Sequence, residues 1–597
     1  MENLYNRIRQ LKIIQNLPSK TEINAALFSF SKKERLVFSI LVVLLVLSTL
    51  LILNTINRHF LVSMPNYGGS ISEGIIGSPR FINPVLALSD ADQDMVALVY
   101  SGLMRKDPDG NLIPDLAQTY EISEDGLTYT FTLKENIYFH DDKPVTTDDI
   151  LFTIDTIKDS IIKSPYKANW DGVTVSKIDE KTIQFSLRQP YASFLENTTL
   201  GIMPAHLWSG TPIELNTINT EPIGSGPYKV SNVNKLSSGL IYMYELSSFK
   251  KFALGKPYID NIDLHFYSNE DDLITALENK EIDQISSITP SNADVLKEKG
   301  YRIESAVLPR VFGLFLNQGA NQLFLDKTVV NAIEEAIDKE KIINEVLAGY
   351  GVPINAPIPP SMSQYQKINS ASSIPREEVL QKIEKSLASA GWIKNSEGFL
   401  EKNSQQTKVV KGKKTLVGKK TTTFLEFSIS TSNAPELARA ALLIKKDLED
   451  IGMKVEIRTF EVGSLNTDVI RPRNYDALLF GQIINTESDL FAFWHSSQRK
   501  DPGLNVAMYA NATVDKILED AFVTINKEAR VKKYIQFETE LKKDVPAVFL
   551  YTPNFIYLVS PKLLGLSLNN ITFPSNRFAN VYLWYTEKYN VWKIFAR

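Results

Sequence analysis

The sequence contains no cysteine in its 597 residues. Disulfide bonds, thiolate metal ligands, a cysteine nucleophile and a lipid-modified cysteine are therefore all excluded. Histidine is nearly as scarce, and none of the five histidines has a second histidine or a carboxylate at a metal-site spacing such as HExxH. They are His59, His140, His206, His265 and His495. The sequence thus predicts neither a metal site nor a cofactor, and any membrane attachment has to come from the polypeptide itself.

Recognisable catalytic motifs are also missing. No G-x-S-x-G elbow, kinase motif set, Walker lysine or dinucleotide fingerprint occurs. The glycine-rich segment 221–228 is followed by neither a Lys-Ser/Thr pair nor a helical pattern, which argues against phosphate binding. The sequence therefore predicts a protein without enzymatic activity, and scattered carboxylates are the one place left for catalysis.

An excess of positive charge is absent too. The 65 basic and 69 acidic residues leave a formal net charge of −4. Nucleic-acid binding proteins need a basic field to attract phosphates, so nucleic acid is excluded as a partner. The length is too great for one ordinary domain and indicates about two to four.

One long hydrophobic run is present near the N-terminus. Residues 36–53 are apolar except for Ser39, Ser48 and Thr49, and 18 helical residues span about 27 Å, enough to cross a bilayer. Seven basic residues precede the run, whereas the first two beyond it are Arg58 and Arg80. The positive-inside rule then predicts a single-pass protein of the cell membrane with a cytoplasmic N-terminus and an extracytoplasmic main body.

A cleavable signal peptide is the alternative interpretation of this run. The preceding segment 1–35 is long for the charged part of a signal peptide, and no clear small-x-small cleavage site follows Leu53. These features favour an uncleaved anchor, with residues 54–69 as a short tether.

Residues 120–152 carry the clearest local pattern. Residues 128–133 alternate hydroxyl and apolar side chains, which predicts a half-buried strand, and residues 140–144 form a turn sequence. Thr146 and Asp149 then fit a capping box that starts a helix. Ile150, Ile154 and Ile157 form the apolar stripe of that helix.

This region and a series of later segments resemble the extracellular solute-binding protein family 5, the oligopeptide- and dipeptide-type receptors of ABC importers. The segments that carry the resemblance are 111–117, 120–152, 221–228, 314–317, 323–326, 330–339, 390–392, 448–452, 475–479 and 509–511. No single segment is diagnostic. The resemblance lies in their order and compatible spacing over roughly residues 70–555.

The resemblance implies a mixed α/β (α+β) chain with a two-lobed periplasmic-binding-protein-like fold of the large cluster C type and an extra inserted domain, here preceded by one transmembrane helix. The predicted boundaries are 1–35 for a cytoplasmic segment, 36–53 for the anchor, 54–69 for the tether, 70–108 with 223–312 and 553–597 for lobe I, 109–222 for the inserted domain, and 313–552 for lobe II. The hinge is expected where the chain crosses between the lobes, near 312 and 553.

The function that the resemblance implies is capture of an extended peptide between two closing lobes, with the ligand backbone hydrogen-bonded to protein main chain. Implied partners are two ABC permease subunits and their ATPases, with the receptor itself a monomer. Receptors for another small solute, such as a nickel complex or an oligosaccharide, use the same scaffold and stay open as an alternative. An anchored cell-wall hydrolase or an interaction protein on this scaffold is the alternative from another class.

Two segments match the ligand-contacting strands of the family. The first follows Ile82-Asn83-Pro84 and places Leu88, Ser89 and Asp90 at the cleft from lobe I. The second belongs to lobe II and consists of Gly481, Gln482 and Ile483. Because main-chain groups make most of these contacts, the assignment tolerates changes of side chain.

The chain departs from its relatives directly after Gly481. Relatives that bind short peptides carry a tryptophan at the next position and, three residues later, an aspartate that pairs with the terminal ammonium of the ligand. This chain has Gln482 and Asn485 there, and an amide cannot neutralise a desolvated ammonium. Either recognition of a free N-terminus is weakened, or another carboxylate, from Glu487, Asp489 or Asp90, replaces the missing one.

Two more features have open interpretations. Trp494, in an aromatic run, forms either the wall of a side-chain pocket or part of the buried core. Glu487 and Asp489 could equally be ordinary polar loop residues. Segment 402–423 is rich in lysine and free of acidic residues, which is typical of a solvated hairpin or mobile loop, with a patch for anionic polymers or membrane surface as the alternative.

Overall fold

The computed structural model describes residues 20–286, 288–362, 375–404, 407–410, 413–416, 421–569 and 571–596. These residues fall into two compact units. We call Tyr67–Thr586 the large unit, and the parts within Met1–Asn66 and Glu587–Arg597 the terminal unit. Each unit is described separately below.

The terminal unit is built around one long apolar helix. Lys20–Ser29 is a short helix, and Ser31 and Glu34 then form a capping box that starts the long helix Lys32–Phe60. The long helix has a mean hydropathy of 3.1 over its most apolar 18 residues, and none of its residues is buried. It extends the predicted segment 36–53 at both ends.

The strand Leu61–Asn66 follows this helix directly and pairs antiparallel with Glu587–Trp592, near the C-terminus. Residues 54–66, within the predicted short tether 54–69, are helix and strand. Residues 587–596, which the sequence prediction included in lobe I, belong to the terminal unit. The ladder satisfies the backbone groups of two segments far apart in sequence.

A twelve-stranded mixed sheet runs through the large unit. Its strands in spatial order are Lys454–Phe460, Glu426–Ser432, Ala477–Ile483, Arg310–Leu316, Ala547–Leu558, Gln284–Ile285, Ser70–Ile76, Asn261–Tyr267, Ile241–Ser248 and Tyr228–Lys235, with Ile303–Val307 and Gly351–Pro353 also paired to Ala547–Leu558. The long strand Ala547–Leu558 pairs with Arg310–Leu316 over its first part and with Ile303–Val307 over its last part. This strand joins the two halves of the sheet.

The hydrophobic cores of the two halves are separate. One core fills the half that contains Ser70–Ile76 and extends into the region of residues 116–213. In the other half, Leu314 and Leu316 point into one core and Phe315 into another. This alternation follows from the two-residue period of a strand, so Arg310–Leu316 is covered on both faces. Separate cores are what two lobes require.

The predicted elements of residues 120–152 are present. Thr128–Leu133 lies in a four-stranded antiparallel sheet with Ala117–Ile122, Thr182–Leu187 and Val173–Lys177. Its residues Tyr129, Phe131 and Leu133 are buried. The helix Thr147–Lys158 follows, and Asp149 accepts hydrogen bonds from the N–H and hydroxyl of Thr146 at 2.9 and 3.0 Å. Ile150, Ile154 and Ile157 are buried, as the stripe predicts.

The other helices of the large unit cover the sheet. Those of six residues or more among the described residues are Asp90–Val99, Glu270–Glu278, Pro290–Glu298, Lys327–Ala336, Lys339–Leu347, Arg376–Ser389, Pro435–Asp450, Leu465–Ile470, Asp489–Trp494, Ala512–Val523, Lys527–Asp544 and Pro574–Leu583. Shorter helices are Lys167–Trp170, Phe194–Asn197 and Ala205–Trp208.

Small ladders complete the fold. Met104–Lys106 pairs with Leu112–Pro114, and Leu400–Ser404 pairs with both Ile393–Lys394 and Thr421–Phe424. Within the lysine-rich segment, Thr407–Val410 and Lys413–Leu416 pair antiparallel, as in the predicted hairpin. Residues 405–406, 411–412 and 417–420 of this segment lie outside the described residues.

Candidate ligand-binding site

A cavity of about 550 Å³ lies between the two halves of the large unit. Most of its wall comes from the half with the first core, namely residues from segments 96–107, 165–170, 196–201 and 567–580 together with Asp115. Asn485 and Thr486 enter from the other half, just past the strand Ala477–Ile483. The volume is within the range of sites for small ligands. A neighbouring open cleft of about 600 Å³ shares Ser567 and Asn569 with it.

The charged side chains that line the cavity form ion pairs or hydrogen bonds with other groups of the protein. Arg105 Nε donates to Asp115 Oδ2 at 2.8 Å, and Lys106 Nζ lies 2.8 Å from Glu196 Oε2. Asp107 accepts backbone N–H groups of residues 109 and 111, which holds the pKa of its carboxyl below the usual range against the opposing effect of partial burial. The rest of the polar lining consists mainly of uncharged groups, with asparagines at 169, 197, 485, 569, 576 and 580.

Two buried acceptors in this wall have no hydrogen-bond partner among the described residues. They are Asp115 Oδ1 and Asn580 Oδ1, on side chains that are almost fully buried. An unpaired buried acceptor costs about 1–3 kcal/mol, so a donor supplied by a ligand or water would be stabilising there. Sequence reasoning did not single out either residue, because Asp115 lies in a family-like segment and Asn580 in a C-terminal region without a pattern.

The loop 484–489 is shaped by the two carboxylates that the sequence suggested as ammonium partners. Asp489 Oδ2 accepts the backbone N–H groups of Asn485 and Thr486 at 2.7 and 3.0 Å. Burial raises the pKa of Asp489, and these N–H groups oppose that rise. Glu487 accepts a hydrogen bond from Arg530 Nε at 2.6 Å, with both side chains nearly buried. Both carboxylates therefore position the loop, and neither lines the cavity, whereas Asn485 does.

Neither of the two predicted ligand-contacting segments, 88–90 and 481–483, is among the lining residues of the cavity. Ser89 caps the helix Asp90–Val99, Leu88 is exposed, and Asp90 lies at the helix start. Burial lowers the pKa of Arg310, and the Asp90 carboxylate opposes this change. Arg310 in turn pairs with Ile483 in the sheet. The Asp90 carboxylate thus favours the charged form of Arg310, which lies on a strand of the other half.

Arg310 is a buried cation that sequence reasoning did not single out. Its Nε is buried and has no hydrogen-bond partner among the described residues. The available signal was an arginine at the start of an otherwise apolar strand, a position where a charge is seldom placed without a partner.

For the remaining predicted residues, the structure shows their packing and burial. Gly481 leaves room for the ring of Phe312, since a Cβ there would lie 2.7 Å from it. The side chain of Gln482 is buried and that of Ile483 is exposed. Trp494 is fully buried and packs against Phe315, Tyr509 and Phe549, which is the core interpretation of this residue. Contacts of these residues with a ligand stay a prediction.

No group of three or more histidine and acidic side chains in the described ranges could hold a metal ion. The cavity between the two lobes offers unpaired acceptors and amide groups as binding groups. A cavity enclosed between two lobes that share one sheet defines the class of solute-binding proteins, in which the lobes close over the ligand.

Comparison with known proteins identifies the family. Residues 111–502 match the model of bacterial extracellular solute-binding proteins, family 5. Among curated proteins, the oligopeptide-binding protein AppA of Bacillus subtilis is 27% identical over 535 residues, which are 88% of this chain and 93% of AppA. The chain belongs to family 5 of the bacterial extracellular solute-binding proteins.

Solved structures confirm the two-lobed fold. AppA from Bacillus subtilis in complex with a nonapeptide has a TM-score of 0.62 at 27% identity and covers 87% of this chain and 99% of its own. NikZ from Campylobacter jejuni in complex with Ni(L-His) has a TM-score of 0.64 at 26% identity, with 86% and 99% covered. The resemblance seen in the sequence and the predicted mixed α/β fold are both confirmed.

Proposed function

We propose that this protein is the membrane-anchored, extracytoplasmic substrate-binding component of an ABC importer, and that its ligand is a peptide held between the two lobes. The observation that carries the proposal is the chemistry of the cavity. Its Arg105–Asp115 and Lys106–Glu196 pairs are formed within the protein, while amides and the unpaired oxygens of Asp115 and Asn580 remain for the ligand. Such a lining suits the N–H and C=O groups that every peptide offers.

The relatives support a peptide ligand. AppA of Bacillus subtilis is named as oligopeptide-binding and was solved with a nonapeptide, and a relative at 24% identity is the dipeptide-binding protein of Escherichia coli. Two permease subunits with their ATPases are the partners that this role requires. The binding event itself needs no catalysis, because closure and opening of the lobes exchange the ligand.

The membrane anchor in this proposal is the helix Lys32–Phe60. It is long and apolar enough to span a bilayer, and the side chains of its hydrophobic run are exposed rather than packed against the protein. The charge asymmetry around the run supports an orientation with the large unit outside the cell.

Ligand contacts are proposed at two levels. Asp115, Asn580 and Asn485 line the cavity and act through their side chains. Leu88, Ser89, Asp90, Gly481, Gln482 and Ile483 act mainly through main chain at the cleft. Glu487 and Asp489 act indirectly by holding the loop that carries Asn485.

Closure is held by a contact across the cleft beside the cavity. The ring of Tyr191, which packs on the first core, stacks on Phe522 of the helix Ala512–Val523 at 5.4 Å with an interplanar angle of 17°. Ser193 Oγ and Ser488 Oγ lie 3.0 Å apart at the same place. Burial raises the pKa of Tyr191 to about 12, so its hydroxyl stays neutral at physiological pH.

Replacing Tyr191 by alanine should weaken ligand affinity by about 2- to 10-fold, since an aromatic pair contributes about 0.5–1.5 kcal/mol beyond its buried area. The loss comes from the closed state, which alone contains the stack. Tyr120→Ala is the matched control, because Tyr120 stacks on Phe131 within one sheet at 5.7 Å. Isothermal titration calorimetry with a peptide that binds the unmodified protein measures the affinity of both variants. Equal losses in the two would contradict a role in closure.

Native mass spectrometry of the full chain in detergent micelles tests the proposed ligand. Peptides that copurify with the protein and are identified by sequencing after denaturation would support the proposal. A mass of 67.3 kDa for the polypeptide would show that the N-terminal helix has not been cleaved off. Ala97→Trp fills the cavity and should lose the copurifying peptides. Ala438→Trp, at a half-buried helix position outside the cavity, should keep them.

A nickel complex is the second candidate ligand, because NikZ was solved with Ni(L-His) and is 26% identical. The same measurement separates the two. A single metal-containing mass in place of peptides would assign this chain to the second candidate.

A further inference from the structure

The C-terminal segment is fastened to the outer end of the long helix. Glu587–Trp592 pairs over six residues with the strand that directly follows Phe60. The indole Nε1–H of Trp592 donates to Asn57 Oδ1 at 2.7 Å, and its ring stacks on Phe60 at 6.1 Å. The C-terminal residues therefore lie at the level of the last helical turn, whatever the position of the large unit.

The depth of this turn follows from the helix rise. The hydrophobic run ends at Leu53, and Asn57 is four residues further, or about 6 Å along the axis. Phe60 is about 10 Å beyond Leu53 by the same rise. The interfacial layer of a bilayer is about 5–8 Å thick on each side of the hydrocarbon core. A helix that spans the bilayer with this run therefore places the indole N–H of Trp592, which is at the level of Asn57, among the lipid headgroups, and Phe60 just beyond them.

The side chains exposed there have the composition of a membrane interface. Trp592 is 45% exposed, Ile594 74% and Phe595 70%. Two cationic side chains are exposed as well: Lys593, between Trp592 and Ile594, and Arg58, the helix residue after Asn57. Aromatic rings with a polar edge, aliphatic side chains and cations next to them are the groups that bind at the headgroup and acyl boundary.

We propose that Trp592, Ile594 and Phe595 form a second membrane contact, in which the C-terminal segment inserts into the lipid interface of the extracytoplasmic leaflet. We call these three residues the C-terminal patch. This inference rests on the proposed function, because it needs the helix Lys32–Phe60 to stay in the membrane. Each end of the large unit is then joined to a segment that lies at the bilayer. Its N-terminal end continues from residue 66 and its C-terminal end continues into residue 587.

Tryptophan fluorescence can test the contact selectively. Trp170, Trp208, Trp392, Trp494 and Trp584 are at most 3% exposed, so Trp592 alone among the six is open to lipid. The full chain is reconstituted into vesicles of phosphatidylcholine with or without bromine on the acyl chains near the headgroup. Bromine quenches only tryptophans that touch lipid.

In brominated vesicles, we expect the protein to lose the emission of one of its six tryptophans relative to unbrominated vesicles. The Trp592→Phe variant should emit equally in both kinds of vesicle. Phenylalanine keeps the aromatic stack on Phe60, so the terminal unit should still form. Replacing Ile594 and Phe595 by serine, with Trp592 in place, should reduce the quenching because the patch loses its aliphatic and aromatic hold on the interface.

Flotation of the same vesicles after carbonate extraction separates this inference from the proposed anchor. A chain that floats and shows no bromine effect has its anchor in the membrane and its C-terminal patch facing water or protein, which overturns the inference alone. A chain that does not float overturns both. Quenching that persists in Trp592→Phe would also overturn the inference, since another tryptophan would then be the one in contact with lipid.

Discussion

Replacing Arg577 by methionine is expected to destabilise the large unit by about 3–5 kcal/mol. Arg577 is fully buried, with Nη1 and Nη2 donating to the two oxygens of Asp94 at 2.7 and 2.6 Å and Nε donating to Glu73 at 2.8 Å. Methionine keeps much of the volume but leaves two buried carboxylates without the cation between them. Removal of one partner from a buried ionic cluster is costly because the remaining charge is desolvated.

The measurement is urea unfolding of the detergent-solubilised chain, followed by circular dichroism. Arg458→Met is the matched control, because Arg458 also makes a 2.7 Å ion pair, with Glu456, but on the surface. An exposed pair contributes little, so the control should unfold at the urea concentration of the unmodified protein. If both variants unfold together, burial is not what makes the Arg577 cluster important.

The same cluster predicts a pH dependence with a definite sign. Burial raises the pKa of Asp94 from 3.8 to about 6, although Arg577 opposes the rise. A carboxyl whose pKa is higher in the folded state stabilises the fold below its unfolded pKa, and this stabilisation is lost as the pH rises through about 6.

Without Arg577, the pKa of Asp94 should rise further, because the opposing positive charge is gone. The stability difference between the unmodified protein and Arg577→Met should therefore be larger at pH 8 than at pH 5. Urea unfolding at the two pH values checks this, and a difference that is larger at pH 5 would contradict the assigned sign.

The second large effect is expected in ligand selection. Asn485→Asp should raise the preference for a peptide with a free N-terminus over its N-acetylated form by roughly 10- to 100-fold. Asn485 lines the cavity, and the family resemblance of the sequence implies an ammonium-binding aspartate at this position. A hydrogen bond to a charged group contributes about 1.5–3 kcal/mol, which is the basis of this range.

Asn576→Asp is the control for added charge alone. Asn576 lines the same cavity from the other lobe, and its Oδ1 accepts the N–H groups of residues 572 and 573, which an aspartate can also do. Titration calorimetry with paired free and acetylated peptides measures both variants. An equal gain in both would mean that the position of residue 485 has no special role, and no gain in Asn485→Asp would mean that the ammonium binds elsewhere.

Local elements were predictable from the sequence where one physical rule dominated. Alternation buried Tyr129, Phe131 and Leu133 on one face, and a capping box started the helix at Thr147. The long helix was evident from hydrophobicity alone, although its ends were not. These patterns depend on neighbours within a few residues, so no tertiary information was needed.

The binding groups were less predictable. Glu487 and Asp489 have the charge that an ammonium partner needs, but the fold brings Arg530 and the backbone of residues 485–486 to them. Asp115, Asn580 and Arg310 carry unpaired buried atoms that only a complete hydrogen-bond account reveals. Whether a polar residue is available to a ligand depends on contacts with residues far away in the chain.

The sequence by itself determined the class of this protein: no cysteine and no catalytic motif, one membrane-length apolar run, and an ordered set of segments typical of a two-lobed receptor. Only the tertiary structure decided which polar groups face the cavity and that residues 587–592 pair with residues 61–66. Composition and short-range periodicity depend only on residue types and on neighbours close in sequence, so the sequence alone reveals them. Pairing of distant strands and the matching of buried charges depend on long-range packing, which no local pattern encodes.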